Sequence, residues 1–423
     1  MLEVVGKKTI IFGMGKISSR IFNIFPQLIK YVDFFVDSFS SEKFFNEIPV
    51  KKPDIFEENN NSEYIVIISA SSERIFYEIY GLLVKKYGLL NEQIFSIREW
   101  LICMLKNHED IMLRPTSVRL EASTICQLNC TGCYMRKGDY GTVGKGTLSF
   151  AHFKSFVDKN DYIKEIEISN NGEALLNPEL IDILEYAYKR GIRINIGSGA
   201  NFNTVSDELI EALVKYNVQN IRVSIDGASQ DVYATYRRNG NFSRVIENIR
   251  KINKVKEDYN SLTPILNWQY ILMEHNEEDV ELAIKMSKEL NMRIIFKLDW
   301  SNHGYMPKNP EKMQKLTGMK FFDRNEYKKG VSKNYNSNIC RDLLFSPQIN
   351  WDGRLLGCCG VFQNDWGMNV FSEGFLECIN SEKYRKTIIC FLGDTSEATN
   401  EKTPCSDCKN YLDCLLNQKY ICL

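Results

Sequence analysis

The stretch "EASTICQLNCTGCYM", residues 121–135, places three cysteines, Cys126, Cys130 and Cys133, within eight positions. No fourth thiol follows nearby. Three thiolates spaced C-x3-C-x2-C on one loop can hold three irons of a cubane iron–sulfur cluster. The fourth iron is then open to a small molecule. A structural zinc takes four protein ligands, and none of His108, His152, His275 or His303 lies close in sequence. A distant fourth ligand leaves zinc as an alternative.

Working outward, "VRLEAS" leads into this loop as a strand. "EIEISN" (165–170), "IRINIGS" (192–198), "NIRVSIDG" (220–227), "LNWQYILM" (266–273) and "RIIFKLDW" (293–300) follow at intervals of roughly 25 residues, with helical patterns between them. In "NPELIDILEYAYKRG", Asn177 and Pro178 mark a helix start and Gly191 its stop. Six such strand–helix units predict a partial (β/α)6 TIM-like barrel over 116–305, with its chemistry at the C-terminal ends of the strands.

The same stretch resembles the radical S-adenosylmethionine (radical SAM) enzymes over residues 117–300. "CQLNCTGCY" carries the resemblance, with aromatic Tyr134 after the third cysteine. "NNGEALLNP" is similar to the family's glycine–glycine–glutamate motif, with Asn171 in place of the first glycine and Gly172 and Glu173 retained. "VSIDG" (223–227) and "YRRNGNF" (236–242) are similar to later landmarks. The resemblance implies a 4Fe–4S cluster whose open iron takes the amino and carboxylate groups of S-adenosylmethionine. Glu173 then accepts hydrogen bonds from the ammonium, Arg237 pairs with the carboxylate and Ser224 adds a hydroxyl. Ser198 and Asn201 are expected near the ribose. The implied reaction is formation of a 5′-deoxyadenosyl radical that abstracts hydrogen from an unactivated carbon, the cofactors supplying the chemistry and the protein orientation.

Nine of the 13 cysteines lie in 340–423. Cys340, Gly353 and Cys358 read C-x12-G-x4-C, and Cys405, Cys408 and Cys414 read C-x2-C-x5-C. "NWDGRLLGC" predicts a hairpin with Asp352-Gly353 as its turn. Cys340, Cys358, Cys405 and Cys408 make a four-thiolate set for a second iron–sulfur cluster or a zinc ribbon. The region resembles the C-terminal SPASM or twitch extension of radical SAM enzymes. Gln418 stands where the full form has a further cysteine, so one auxiliary cluster is expected, and Cys414 and Cys422 stay open as ligands of another. Cys359 is a packed thiol or a hydrogen donor to a substrate radical. Cys378, Cys390 and the isolated Cys103 are expected in apolar cores.

Residues 1–105 alternate strand and helix: "KTIIF" (8–12), "YVDFFVD" (31–37) and "EYIVIISA" (63–70) are apolar strands of a small parallel α/β domain. Its first turn, "GMGKIS" (13–18), is a partial dinucleotide fingerprint. Gly13 allows the tight turn, Gly15 a close phosphate, and Asp37 a ribose hydroxyl, with Ser18 where a third glycine would stand. It is read as a nucleotide site or as a bare scaffold. The domain is similar to the Rossmann-like domain ahead of sugar O- and N-acyltransferases.

Fold class is therefore α/β: the barrel, an N-terminal Rossmann-like domain (1–105) and a small cysteine-rich domain (340–423). The formal net charge of −1 and the 25% of charged residues exclude a basic nucleic-acid binder. No apolar run is long enough to span a membrane, and the start lacks a signal-peptide pattern, so a cytoplasmic protein is expected. The expected function is oxidation, epimerisation or dehydration of a carbohydrate or nucleotide-sugar-like small molecule, with a flavodoxin or ferredoxin as electron donor. The alternatives are a peptide-modifying maturase and a non-catalytic metal-cluster protein.

Overall fold

The computed structural model describes residues 7–58, 61–137, 140–299, 305–331, 340–360, 364–398 and 401–417. His303, Gln418 and Cys422 lie outside the described residues. Two compact units divide the chain: Ser117–Phe375, and Met1–Thr116 together with Leu376–Leu423.

In the second of these, strands β1 (Lys8–Phe12), β2 (Phe34–Val36), β3 (Phe44–Phe45), β4 (Ile48–Lys51), β5 (Tyr64–Ile68) and β6 (Ile94–Ser96) form one sheet. Its order is β3-β4-β2-β1-β5-β6, parallel except for the β3–β4 pair. The chain first moves outward from β1 through β2, then returns to its other side at β5. β1, β2 and β5 are buried along almost their whole length, as strands covered on both faces must be. Helix Ile97–Asn107 starts with a capping box on Ser96 and Glu99. At its other end Arg385, from helix Glu382–Leu392, donates to the carbonyls of Leu105 (2.7 Å), His108 (2.6 Å) and Ile111 (2.7 Å). One guanidinium thus satisfies carbonyls that a helix end leaves open, and it ties the tail to this unit. Cys378 and Cys390 are buried here as expected. Cys103 is only half-buried, because its position on the helix lies beside the buried stripe of Trp100, Leu101 and Met104.

Within Ser117–Phe375, β7 (Ser117–Leu120), β8 (Glu165–Glu167), β9 (Arg193–Ala200), β10 (Asn220–Ser224), β11 (Ile265–Ile271) and β12 (Arg293–Lys297) pair in sequence order, all parallel. This is the open six-stranded barrel sheet that the strand spacing predicts. Two short strands, β13 (Gln348–Ile349) and β14 (Leu355–Gly357), extend the same sheet beyond β7. They are the predicted hairpin, with Gly353 at φ +90° in its turn. The N–H groups of Arg119 and Glu121 donate to Pro347 and Ile349. Asn350 and Trp351 side chains both donate to the Val143 carbonyl, at 2.8 and 2.9 Å. Within the cysteine-rich stretch 340–423, Cys340, Cys358 and Cys359 fall in Ser117–Phe375, and Cys405, Cys408 and Cys414 fall in the other unit. No helix among the described residues is long and apolar enough to cross a membrane.

Candidate functional site

The cysteine loop is held by backbone contacts from two directions. Glu173 N–H donates to Ile125 at 2.8 Å, while Asn129 and Thr131 N–H groups donate to Arg238 and Tyr236 at 2.9 and 3.0 Å. Gly172 makes the first contact possible. It sits at φ +63°, and a Cβ there would come 2.4 Å from the Thr124 backbone. Only glycine meets both the left-handed backbone and the close approach.

Between the loop and the ends of β9 and β10 lies a cavity of about 360 Å³. Cys126, Cys130, Cys133, Gly172, Glu173, Asn201, Ser224 and Arg237 line it, joined by Tyr236, Asn239 and Tyr140. Residues from Cys126 to Asn239, 113 positions apart in the chain, are thus gathered by one face of the barrel. Glu173 is 2% exposed. Its carboxylate accepts from the N–H of Asn201 (2.6 Å) and of Leu175 (3.2 Å). Burial pushes it up to about 7, against the pull of those donors and of Arg237. Arg237 donates through Nε to Asp226 at 2.6 Å and through Nη1 to Cys130 Sγ at 3.6 Å. Burial works against its charge, but Asp226 and Cys130 outweigh that and keep it protonated. Asp226 in turn accepts from Ile271 N–H at 2.7 Å, which fixes the guanidinium.

Burial raises the Cys126 thiol to about 12, with the Glu173 charge adding to it. Burial also raises Cys130, although Arg237 opposes the rise. Asn201 directs its amide at Cys126 Sγ (3.8 Å) and pairs with Gln127. Among the described residues no three Cys, His, Asp or Glu side chains converge on one metal-ion position. The donor set and a cavity of this size beside it fit a cluster with a small zwitterionic ligand.

Other expected residues stand elsewhere. Ser198 is turned toward β7, where Arg119 donates to its hydroxyl at 2.5 Å. Tyr134 and Asn171 lie behind the cavity wall. Tyr134 donates to Asn171, and the Asn171 N–H and amide donate to Glu121 at 2.9 and 3.0 Å. Asn170 N–H adds a third donor at 3.2 Å. Burial raises Glu121 to about 8 despite these donors. Asparagine at the family's glycine position thus ties the aromatic after the third cysteine to the strand before the first. Glu121 itself escapes sequence reasoning. Its only signal is an acid inside the apolar run "RLEAS". Cys359 is half-buried in this unit, and its thiol is pushed up to about 12 by burial, with Arg119 opposing.

In the other unit, Gly13 lies at φ +103° with its N–H on Val36, and a Cβ there would come 2.8 Å from the Ser69 carbonyl oxygen. Ser18 donates to the Gly13 carbonyl (2.6 Å) and bonds Ser69 (2.8 Å), so a serine serves where the fingerprint has glycine. Gly15 caps helix Lys16–Ile24 without a side-chain cap, and a Cβ on it would meet nothing within 4 Å. Asp37 accepts from the N–H groups of Met14 (3.0 Å), Phe39 (2.9 Å) and Ser40 (2.8 Å). Burial raises its carboxyl, but these donors and Lys52 outweigh that and hold it below the usual range.

Residues 120–286 match the model of the radical SAM superfamily. This segment is similar to radical SAM domains. Such a domain implies a 4Fe–4S cluster and S-adenosylmethionine. Among curated proteins, an AdoMet-dependent heme synthase from Methanosarcina barkeri is 28% identical over 178 residues, 42% of this chain and 48% of that protein. A GTP 3′,8-cyclase from Petrotoga mobilis is 22% identical over 215 residues, 50% of this chain and 61% of that protein. The chain spans about half the length of the curated relatives it matches. The crystal structure of SuiB from Streptococcus suis bound to S-adenosylmethionine aligns with a TM-score of 0.49 at 14% identity, over 80% of this chain and 82% of that one.

Proposed function

We propose that the protein binds a 4Fe–4S cluster on Cys126, Cys130 and Cys133 and S-adenosylmethionine in the adjoining cavity, and that it acts on a carbohydrate or nucleotide-sugar-like substrate by oxidation, epimerisation or dehydration. The cavity that gathers three thiols, one buried carboxylate and one fixed guanidinium carries this reading. Bound together, the cofactors supply a 5′-deoxyadenosyl radical that removes hydrogen from the substrate. The chain's own residues bind and orient. Glu173 accepts from the ammonium, Arg237 meets the carboxylate, and Asn201 and Ser224 supply further polar contacts. Cys359 keeps its hydrogen at neutral pH, because burial holds it as a thiol. That supports it as the donor in an inverting reaction.

The order of β4-β2-β1-β5-β6 and the uncapped N-terminus at Gly15 support a Rossmann-like unit that holds the nucleotide end of a substrate. The spacing of Cys340, Cys358, Cys405 and Cys408 supports an auxiliary cluster, with a flavodoxin or ferredoxin as donor. The test is anaerobic reconstitution, followed by assay of 5′-deoxyadenosine with dithionite and panels of nucleotide sugars or peptides. Stimulation by a nucleotide sugar is expected. Stimulation by peptides alone would replace the substrate class, and intact S-adenosylmethionine under every condition would remove the enzyme reading.

A further inference from the structure

The two faces of the barrel sheet differ in kind. Residues facing the helices are apolar and buried: Val118 and Leu120 on β7, Ile166 on β8, Ile221 and Val223 on β10, Leu266 and Trp268 on β11. The alternate positions, which face inward, carry Arg119, Glu167, Asn195, Arg222, Ser224, Asn267, Gln269 and Lys297, with Ile271 and Ile295 among them. A barrel interior filled for stability is packed with branched apolar side chains. This one is lined for contact with something polar.

Its acids are already engaged. Glu167 accepts from Gly197 N–H at 2.9 and 2.8 Å and from the Ser169 N–H and hydroxyl. Asp226 is taken by Arg237 and Ile271. Lys297, the last residue of β12, pairs in register with Ile271 and so stands at the reactive end of the barrel. Among the described residues it makes no hydrogen bond and no ion pair. Burial, with like charge on Arg222 and Arg324 and against the opposing charge on Asp226, lowers Lys297 to about 8, so it is still largely protonated at neutral pH. A half-buried ammonium without a counter-ion is costly, and an incoming anion offsets that cost. Independently, the Gln269 side-chain oxygen, on a residue only 6% exposed, finds no partner among the described residues, while its nitrogen donates to Ser224 at 3.4 Å, on the cofactor cavity wall.

We infer that the barrel interior holds an oxyanion subsite built on Lys297, which takes a carboxylate or phosphate group of the substrate, while Gln269 accepts from a neighbouring hydroxyl. This rests on the reading of the barrel as a reaction chamber. It adds that the substrate is an anion, held by its charged group beside the cofactor cavity.

The test is calorimetric titration of the full, anaerobically reconstituted chain, saturated with S-adenosylmethionine, with sodium pyrophosphate and with sodium glucuronate. Wild type is expected to bind at least one probe. Lys297→Met should weaken that binding at least tenfold, and Lys297→Arg should keep it within about threefold. Gln269→Glu, which preserves size and places a negative charge in the lumen, should weaken it as well and serves if Lys297→Met fails to fold. Tighter binding of pyrophosphate assigns a phosphate substrate, and tighter binding of glucuronate a carboxylate. Neither probe binding to wild type, or equal binding by folded Lys297→Met, overturns the subsite. Cleavage of S-adenosylmethionine by wild type is measured in parallel, without substrate and with the nucleotide-sugar and peptide panels. Intact S-adenosylmethionine under every condition would sink the enzyme reading, whereas cleavage without anion binding sinks only the subsite.

Discussion

Both units of this chain are parallel α/β sheets with a glycine-containing turn after a leading strand, yet they spend their polar groups differently. In the N-terminal unit the turn closes on itself. Asp37 gives both oxygens to backbone donors, and Ser18 bonds Gly13 and Ser69. In the barrel unit the loop is held through its backbone and through Gln127 and Thr131, and its three thiols remain on the cavity with Glu173 and Arg237. A fold places side chains at strand ends in both cases. In the barrel unit it is the thiols that are left on the cavity.

The sharpest way to break this contrast is to remove the thiols. Replacing Cys126, Cys130 and Cys133 together by Ala should lower reconstituted iron from about eight to about four per chain and abolish 5′-deoxyadenosine formation. A starting value of about four falling to near zero would place all iron in the barrel and leave the tail without a cluster. Next in size, Glu173→Gln and Arg237→Gln should each weaken S-adenosylmethionine binding by roughly 10- to 100-fold, since each removes a charge-assisted contact. Equilibrium dialysis checks this, and unchanged affinity would show that the ligand sits elsewhere. Gly172→Ala forces a Cβ onto the Thr124 backbone at a left-handed φ. It should cost about 1–3 kcal/mol and reduce cluster retention. In the N-terminal unit, Asp37→Asn should cost about 1 kcal/mol of stability by weakening three hydrogen bonds, read by thermal unfolding. A large loss of nucleotide-sugar binding with little loss of stability would show that Asp37 serves a ligand, and the contrast between the units would shrink.

A further effect concerns pH. Glu121 is raised to about 8, so between about pH 4.5 and 8 the folded chain holds a proton that the unfolded chain has released. Its contribution to stability therefore falls as pH rises through that window. Glu121→Gln should flatten the slope of unfolding midpoint against pH.

Much of the barrel is legible in the sequence, because strand and helix periods differ and the six units pair in chain order. The cysteine loop, Glu173, Arg237, Asn201 and Ser224 are legible as a set only through the resemblance carried by "CQLNCTGCY", "NNGEALLNP", "VSIDG" and "YRRNGNF", and they line one cavity. What is not legible depends on pairing between distant segments. Nothing in "NWDGRLLGC" shows that β13 will add to β7, so the hairpin reads as part of a separate domain. Ser198 is read toward the ribose, but where the β9–β10 register shifts it meets Arg119 instead. Lys297 reads as an ordinary strand residue until the register with Ile271 shows which end of the barrel it occupies. Glu121 acquires a role only when Asn171 and Tyr134, from two other loops, meet it.

The most direct test of the central claim is the low-temperature paramagnetic resonance spectrum of the reduced, reconstituted protein, recorded with and without S-adenosylmethionine. Binding at an open iron beside Glu173 and Arg237 predicts a change in the cluster signal when the ligand is added, and loss of that change in Arg237→Gln. An identical spectrum with saturating ligand would mean that no iron is open to it, and that the three cysteines of "CQLNCTGC" do not do what their spacing and their shared cavity assign to them.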